Sequence, residues 1–303
     1  MSELKKIDVI LCTYNGEKYI AEQIDSILEQ SYRNLELHIR DDHSTDNTLE
    51  ILQKYSSDPR VKLYFSSTNL GYPFSFYDLL SKVSNADYYS FSDQDDVWYN
   101  DKLERAIQLL DGSDPEKPAI VYANYDVCDE ELNILRTSQG PGREPDFLYS
   151  LYASLGLGFT YVLNSKAREL ILKYRSVKNI TKDVWIGMCC TAFGKAFFDP
   201  KPCALHRRNS GSFSSQDRNF LQIQKERFNK FIRGNGLSSV HSVMEEFYEI
   251  FGSELSEPDR YALELFLRRD FSARFMKCFY PKRLRYSLSD EISLRLIFIL
   301  GLI

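Results

Sequence analysis

Residues 7–30 read IDVILCTYNGEKYIAEQIDSILEQ, and the order of patterns inside them decides the fold. Ile7–Cys12 is a compact, β-branched apolar run, the mark of a buried strand, and it stops at a Thr13-Tyr14-Asn15-Gly16 turn. From Glu17 to Gln30 the period becomes helical. Ile20, Ile24, Ile27 and Leu28 share one face and leave Glu22, Gln23 and Glu29 for solvent. A buried strand feeding a one-sided helix is half of a βαβ unit.

The unit repeats downstream. Leu35–Arg40 is a second strand ending in Asp41-Asp42, followed by a helix over Asp46–Tyr55 that Ser44 or Thr45 can cap. Val61–Phe65 and Asp87–Phe91 are strands, Phe74–Val83 and Asn100–Leu110 helices, and Ala119–Asn124 is strand-like again. This alternation predicts an α/β domain with a largely parallel sheet flanked by helices. Ligands of such sheets bind outside the carboxyl ends of the strands. Both acidic clusters, Asp41-Asp42 and Asp93-Gln94-Asp95-Asp96, follow predicted strands and should meet at that edge.

The middle of the chain is less regular. Glu130–Asp146 is polar and carries Gly140, Pro141, Gly142 and Pro145, so a mobile loop is expected there. Gly156–Asn164 reads as a glycine-rich strand start, Lys182–Phe193 as a helix, and Ala196–Asp199 and Pro202–Arg207 as further strands. After Gln216 helical patterns dominate, which divides the 303 residues into a body over 1–215 and a helical region over 216–303.

Composition excludes several function classes. A net charge of −5 is not the footprint of a general nucleic-acid binder. Six cysteines without CxxC spacing suit buried thiols in a reducing compartment rather than a zinc site or a disulfide framework. The apolar run at the N-terminus is too short for a signal peptide, and no run approaches a membrane span. A soluble cytosolic body is therefore expected. There is no GxGxxG after the first strand and no Walker loop, so dinucleotide redox chemistry and P-loop hydrolysis fit poorly.

Three carboxylates within Asp93–Asp96 repel one another, and a hard divalent cation such as Mg²⁺ or Mn²⁺ relieves that and can bridge to phosphate oxygens. The bland alternative is a solvated acidic turn before the next helix. Tyr14 can stack on a base and a carboxylate of Asp41-Asp42 can accept from a base N–H or ribose hydroxyl, although Asn-Gly and Asp-Asp are also ordinary turn residues.

Taken together, Cys-Thr-Tyr-Asn-Gly-Glu (12–17), Arg-Asp-Asp-His-Ser-Thr-Asp-Asn-Thr (40–48), Asn69-Leu70-Gly71 and Ser-Asp-Gln-Asp-Asp-Val-Trp (92–98) resemble family 2 glycosyltransferases of the GT-A fold. The last motif is similar to that of bacterial rhamnosyltransferase-like enzymes of surface polysaccharide assembly. The resemblance covers roughly residues 5 to 215. It implies that Thr13, Tyr14 and Glu17 line the nucleotide pocket, that Asp42 contacts the base with Asp41 beside it, and that Asp93 and Asp95 form the metal–diphosphate motif with Asp96 in support. It also implies that Gly156–Thr160, with Gly158 at its centre, borders the acceptor, and that Asp183 is the catalytic base with Trp185 nearby. Read without the resemblance, Asp183 is simply an acidic residue favoured at a helix N-terminus.

Two departures stand out. Lys182 occupies the usual histidine position, placing a cation beside the expected base. In Leu205–Ser212, Asn209 stands where the family has a histidine, leaving His206 and Arg207 as the groups nearest the diphosphate. The implied chemistry is inverting transfer of a sugar from a nucleotide-diphosphate donor, L-rhamnose from dTDP-rhamnose, to a polyprenyl-linked glycan, with Mn²⁺ or Mg²⁺ as cofactor. A UDP-hexose transferase and a catalytically weak scaffold subunit are the alternatives.

The tail has its own character. Arg260–Tyr286 carries eight Lys or Arg against Glu264 and Asp270, a net of about +6, with Phe266, Phe271, Phe275, Phe279 and Tyr280 interleaved. The chain then ends in the apolar run 294–303. This suits a helix lying in the surface of the cytoplasmic membrane. A helix packed on the core or on a second subunit is the alternative.

Overall fold

Seven strands make the main sheet, in the order β10 (Lys195–Asp199), β6 (Ala119–Ala123), β9 (Val162–Asn164), β4 (Tyr88–Ser92), β1 (Ile7–Thr13), β2 (Leu35–Asp41) and β3 (Val61–Phe65). The computed structural model describes residues 4–83, 85–140, 144–174, 182–208 and 238–302. β1 (Ile7–Thr13) is flanked by parallel β2 (Leu35–Asp41) and β4 (Tyr88–Ser92), and β3 (Val61–Phe65) lies outside β2. Beyond β4, β9 (Val162–Asn164) runs antiparallel to β4 and to β6 (Ala119–Ala123), which pairs in parallel with β10 (Lys195–Asp199). The chain order reverses at β1, so the crevice at the carboxyl ends of β1, β2 and β4 is the topological switch point where such sheets bind ligands.

Alternation along β1 builds two cores. Ile7, Val9 and Leu11 pack with Ile20, Ile24 and Ile27 of α1 (Ile20–Leu28), while Ile10 and Cys12 pack with Phe76, Leu79 and Leu80 of α3 (Phe74–Lys82). Truncating a fully buried member such as Ile24 to alanine costs about 2–5 kcal/mol through lost transfer energy and the cavity left behind. The remaining helices of this region are α2 (Thr48–Gln53), α4 (Lys102–Asp111), α5 (Phe147–Tyr152), α6 (Ser165–Lys173) and α7 (Lys182–Phe193).

A second, four-stranded sheet has the order β5 (Asp96–Trp98), β11 (Ala204–Arg207), β7 (Asp126–Cys128) and β8 (Ile134–Thr137). β11 (Ala204–Arg207) pairs antiparallel with β5 (Asp96–Trp98) and parallel with β7 (Asp126–Cys128), which pairs antiparallel with β8 (Ile134–Thr137). β8 lies inside the stretch expected to be a loop. It is an edge strand with every residue exposed, so no apolar alternation announces it. The expected strand start at Gly156 is instead a 3₁₀ turn, Gly158–Thr160, leading into β9. Gln23, expected to face solvent, is fully buried because its amide donates to Ser92 Oγ at 2.6 Å.

Four helices follow residue 237: α8 (Ser238–Phe251), α9 (Glu257–Leu267), α10 (Phe271–Cys278) and α11 (Leu288–Leu300). The boundary expected near residue 215 lies outside the described residues. The C-terminal helices share a third core with α5 and α7, in which Phe247, Phe251, Phe266 and Phe298 pack against Phe147 and Trp185. Five of the six cysteines are buried, Cys278 is half-buried, and all carry free thiols. No described helix is long and apolar enough to cross a membrane.

Candidate functional site

The strand ends interlock before any ligand arrives. Buried Thr13 donates from Oγ1 to Gln94 Oε1 at 2.7 Å, and the Tyr14 N–H reaches the same oxygen at 2.8 Å. Gly16 sits so near that a Cβ there would lie 2.5 Å from Thr13 Oγ1 and 2.8 Å from Gln94 Oε1. The middle residue of the acidic motif therefore clamps the β1–α1 turn, a role no sequence feature announces. Asn15, at φ 49, takes the left-handed conformation that Asn tolerates. Its N–H donates to Ser44 Oγ, and its side-chain oxygen accepts from the Thr45 N–H, tying the first turn to the second. The Tyr14 ring stays 46% exposed, open to stacking.

The acidic residues after β2 are largely in use. Glu17 Oε2 accepts from the N–H and the side-chain amide of Asn47 at the head of α2. Asp42 Oδ1 accepts from Arg40 Nη2 at 2.8 Å and from the Leu70 N–H, and Oδ2 from the Gly71 N–H at 2.8 Å. Asp42 is thus the anchor of the Asn69-Leu70-Gly71 turn, where Gly71 at φ +68 needs the missing side chain. Asp41 Oδ2 holds the Ser44 N–H, and its Oδ1 is buried without a hydrogen-bond partner among the described residues.

Asp93 and Asp95 are half-buried where β4 gives way to β5. Burial first, then the charge of Asp93, raises the Asp95 carboxyl above its ordinary range. The antiparallel register sets Asp96 opposite His206, and His206 Nδ1 lies 2.7 Å from Asp96 Oδ1. Asp96 is completely buried, which pushes it up to about 6 against the opposing pull of His206. Burial alone would lower His206, but the bond and charge of Asp96 raise it. The imidazole also stacks on Phe159 with ring centroids 5.0 Å apart. Buried Arg207 donates to the Asp95 carbonyl at 3.0 Å and to Glu22, with its guanidinium over the Tyr19 ring.

These residues fit a divalent cation. Asp96 Oδ2 is buried without a hydrogen-bond partner among the described residues, and Asp93 and Asp95 stand half-buried beside it at the crevice edge. Mg²⁺-type ions are typically held by one or two carboxylates with the rest of the shell from phosphate and water, which needs only Asp93 and Asp95 from the chain. A tighter group, Asp8, Glu36 and His38, has donor atoms within 4.8 Å of one another, but it lies toward the opposite ends of β1 and β2. Lys6 Nζ stands 3.1 Å from Asp8 and bonds Glu36, so an ammonium already serves that cluster.

On the far side of the crevice, Lys182 is 1% exposed, with Nζ 4.2 Å from the Phe76 ring centroid and 4.8 Å from that of Tyr72. Burial opposes its charge, but Asp183 and Asp93 hold it well above the ordinary lysine range. Nζ is 3.4 Å from Asp183 Oδ1, which has no hydrogen-bond partner among the described residues. Gly158 closes this corner: a Cβ there would lie 2.3 Å from Asp183 Oδ1 and 2.6 Å from Lys182 Nζ. Behind it, buried Lys102 donates to the Phe159 carbonyl at 2.6 Å, and burial lowers its pKa to about 7. Sequence reasoning missed Lys102, since its partner is 57 residues away. Trp185, expected beside the acceptor, is placed elsewhere: it is fully buried in the third core, and its indole N–H bonds the Tyr174 carbonyl. Asn209 lies outside the described residues. A cavity of about 240 Å³ adjoins Gly156 and Leu157 and is lined by Tyr122, Tyr125, Asn124 and Phe198.

The switch-point crevice, the paired aspartates after β4 and the carboxylate on α7 are features of a nucleotide-sugar transferase of the GT-A type. Solved structures share this fold: Staphylococcus aureus TarS 1–349 superposes with TM-score 0.58 at 19% identity, covering 98% of this chain and 81% of that one. The mannosyltransferase PcManGT of Pyrobaculum calidifontis, in complex with GDP-Man and Mn²⁺, gives 0.53 at 16% identity, covering 99% and 86%. The glycosyl transferase family 2 model matches residues 8–184, and the chain belongs to that family. Its relatives include the dTDP-rhamnosyl transferase RfbG of Shigella flexneri, 32% identical over 218 residues, which are 67% of this chain and 72% of that protein. A putative glycosyltransferase of Bacillus subtilis, EpsE, is 39% identical over 113 residues, 37% of this chain and 40% of its own length. The protein is thus a family 2 nucleotide-sugar glycosyltransferase.

Proposed function

We propose that the chain transfers L-rhamnose from dTDP-rhamnose, with inversion, to a lipid-linked glycan at the cytoplasmic face of a membrane. The observation that carries the reaction type is Asp183: an oxygen on α7 without a hydrogen-bond partner among the described residues, set against Gly158 and 3.4 Å from Lys182. The acceptor enters past Gly156–Thr160, with the cavity beside Gly156 taking its preceding sugar. Asp183 removes the proton from the acceptor hydroxyl as that oxygen bonds the anomeric carbon. The bond from that carbon to the diphosphate oxygen breaks on the opposite face, and the nucleoside diphosphate leaves with the electron pair. Tyr14 stacks on the base, and Thr13, Glu17, Asp41 and Asp42 hold the turns around it. Asp93 and Asp95 would hold Mn²⁺ or Mg²⁺, which when bound would supply positive charge for the diphosphate leaving group. Arg207 and His206 keep that motif in place. Lys182 is a positioning residue: its ammonium fixes the orientation of Asp183. The similarity to RfbG supports the donor assignment.

The test is release of nucleoside diphosphate by pure protein from a panel of dTDP-, UDP- and GDP-sugars with Mn²⁺ and a lipid-linked acceptor. Selective release from dTDP-rhamnose that vanishes in Asp183→Asn supports the assignment. Preference for a UDP-hexose overturns the donor, and tight donor binding without turnover favours a scaffold role.

A further inference from the structure

The outermost helices are apolar on the wrong side. α11 buries Leu294 and Phe298 in the third core and Ile297 beside them in sequence, yet its opposite side exposes Ile292, Leu296, Ile299 and Leu300 by 50–59%. A helix apolar on both faces is not built for water. α10 and its C-cap expose Phe271, Phe275 and Phe279 by 82%, 60% and 66%, at a spacing that sets them on one stripe. Resting on the membrane-surface reading above, we propose that these two stripes form a preassembled docking surface for an anionic lipid bilayer, with the phenylalanines and aliphatic side chains seated in the headgroup–acyl boundary.

Two arginines lock the helices together. Arg295 of α11 donates to the carbonyls of Cys278 and Tyr280 at the C-terminus of α10, at 2.6 and 2.7 Å. Arg274 of α10 lies over Gly301 at the C-terminus of α11, so close that a Cβ there would be 2.2 Å from its guanidinium carbon. Each helix thus meets the negative end of the other's dipole with a cation. The surface needs little ordering on binding, which removes a cost that a flexible tail would meet.

Charge selects the occupant. Arg260–Tyr286 holds eight Lys or Arg against two acidic residues; Lys277 is buried and Arg268 pairs with Asp270, while Arg269, Lys282 and Arg283 are exposed. Anionic headgroups answer that excess at roughly 1 kcal/mol per cation, about five-fold in binding. A second copy answers it poorly, because a two-fold contact would bring two like-charged segments together. With no described helix able to span a bilayer, lying in the interface is the mode that fits.

The experiment is co-sedimentation of the full chain with vesicles of phosphatidylcholine alone or mixed equally with phosphatidylglycerol, with oligomeric state read by analytical ultracentrifugation. Expected is binding to the mixed vesicles only, weakened by salt, and reduced at least ten-fold in Phe271→Ser/Phe275→Ser/Phe279→Ser. The control Ile134→Ser/Leu135→Ser, equally exposed on β8, should bind as wild type. Should circular dichroism show the triple variant unfolded, Lys282→Ser/Arg283→Ser gives the independent reading, with about a 25-fold loss expected from two cations. Wild-type binding that survives these changes overturns the assigned surface and leaves the membrane reading standing. No binding by wild type overturns both. A dimer that the phenylalanine variant splits, without vesicle binding, makes the surface a subunit interface.

Discussion

The two walls of the crevice are finished to different degrees. On the β1–β2 wall the polar side chains are largely committed to the protein: Glu17 holds α2, Asp42 holds the Leu70-Gly71 turn, and Gln94 holds Thr13 and Tyr14. On the α7 wall an opposite-charge pair, Lys182 and Asp183 at 3.4 Å, is confined by Gly158, and Asp183 Oδ1 has no hydrogen-bond partner among the described residues. Under the proposed function the first wall would mould the donor, and the second would present a carboxylate oxygen to the acceptor hydroxyl.

If that contrast holds, damage to the α7 wall lowers turnover and damage to the β1 wall lowers donor affinity. The largest effect is expected for Asp183→Asn, a loss of about 10³-fold in kcat with donor affinity, measured by calorimetry, within a factor of two. Equal losses in both would break the comparison. Gly158→Ala comes next: the added methyl must displace the Asp183 carboxylate, and about a 10²-fold drop in kcat is expected with the fold retained. A wild-type rate would show that the corner yields freely.

Lys102→Met tests the support behind that wall through pH. The folded pKa is about 7 and the ordinary value 10.5, so between those limits the unfolded chain binds more protons and stability rises with pH. Denaturant titrations should show wild type gaining on the order of a few kcal/mol from pH 7 to 10, and the variant losing most of that slope. An unchanged slope would mean Lys102 is charged in the fold. The smallest effect is expected for Gln94→Ala, which removes one acceptor shared by two donors. It should cost about 1–2 kcal/mol of stability and raise the donor KM several-fold while kcat changes little. A fall in kcat alone would move Gln94 to the other wall.

The sheet and its business end were legible because strand and helix periods alternate cleanly through Ala123 and because Thr13, Asp41 and Ser92 each close a strand. What stayed hidden depends on partners far away in sequence. Nothing near Asp96 announces that β11 returns to place His206 opposite it, or near Lys102 that Phe159 waits for its proton. Gln23 reads as a surface residue on its helix but is buried, its amide donating to Ser92 on a strand 69 residues away. Trp185 looked functional by position within its motif, and the aromatic core of α8 claims it instead. β8 escaped because an edge strand exposed on all sides carries no alternation to read.

Gln94 has a further consequence. It stands between Asp93 and Asp95 in the chain, while its amide oxygen is the fixed point for the turn bearing Tyr14. Under the proposed donor placement, a base settling on Tyr14 would therefore bear on the same peptide segment that carries Asp93 and Asp95. Recognition of one end of the donor and grip on the other would then become a single cooperative event, felt through one amide. Under that reading Gln94, between the aspartates, would couple the two ends, and a shorter side chain would let them be read independently.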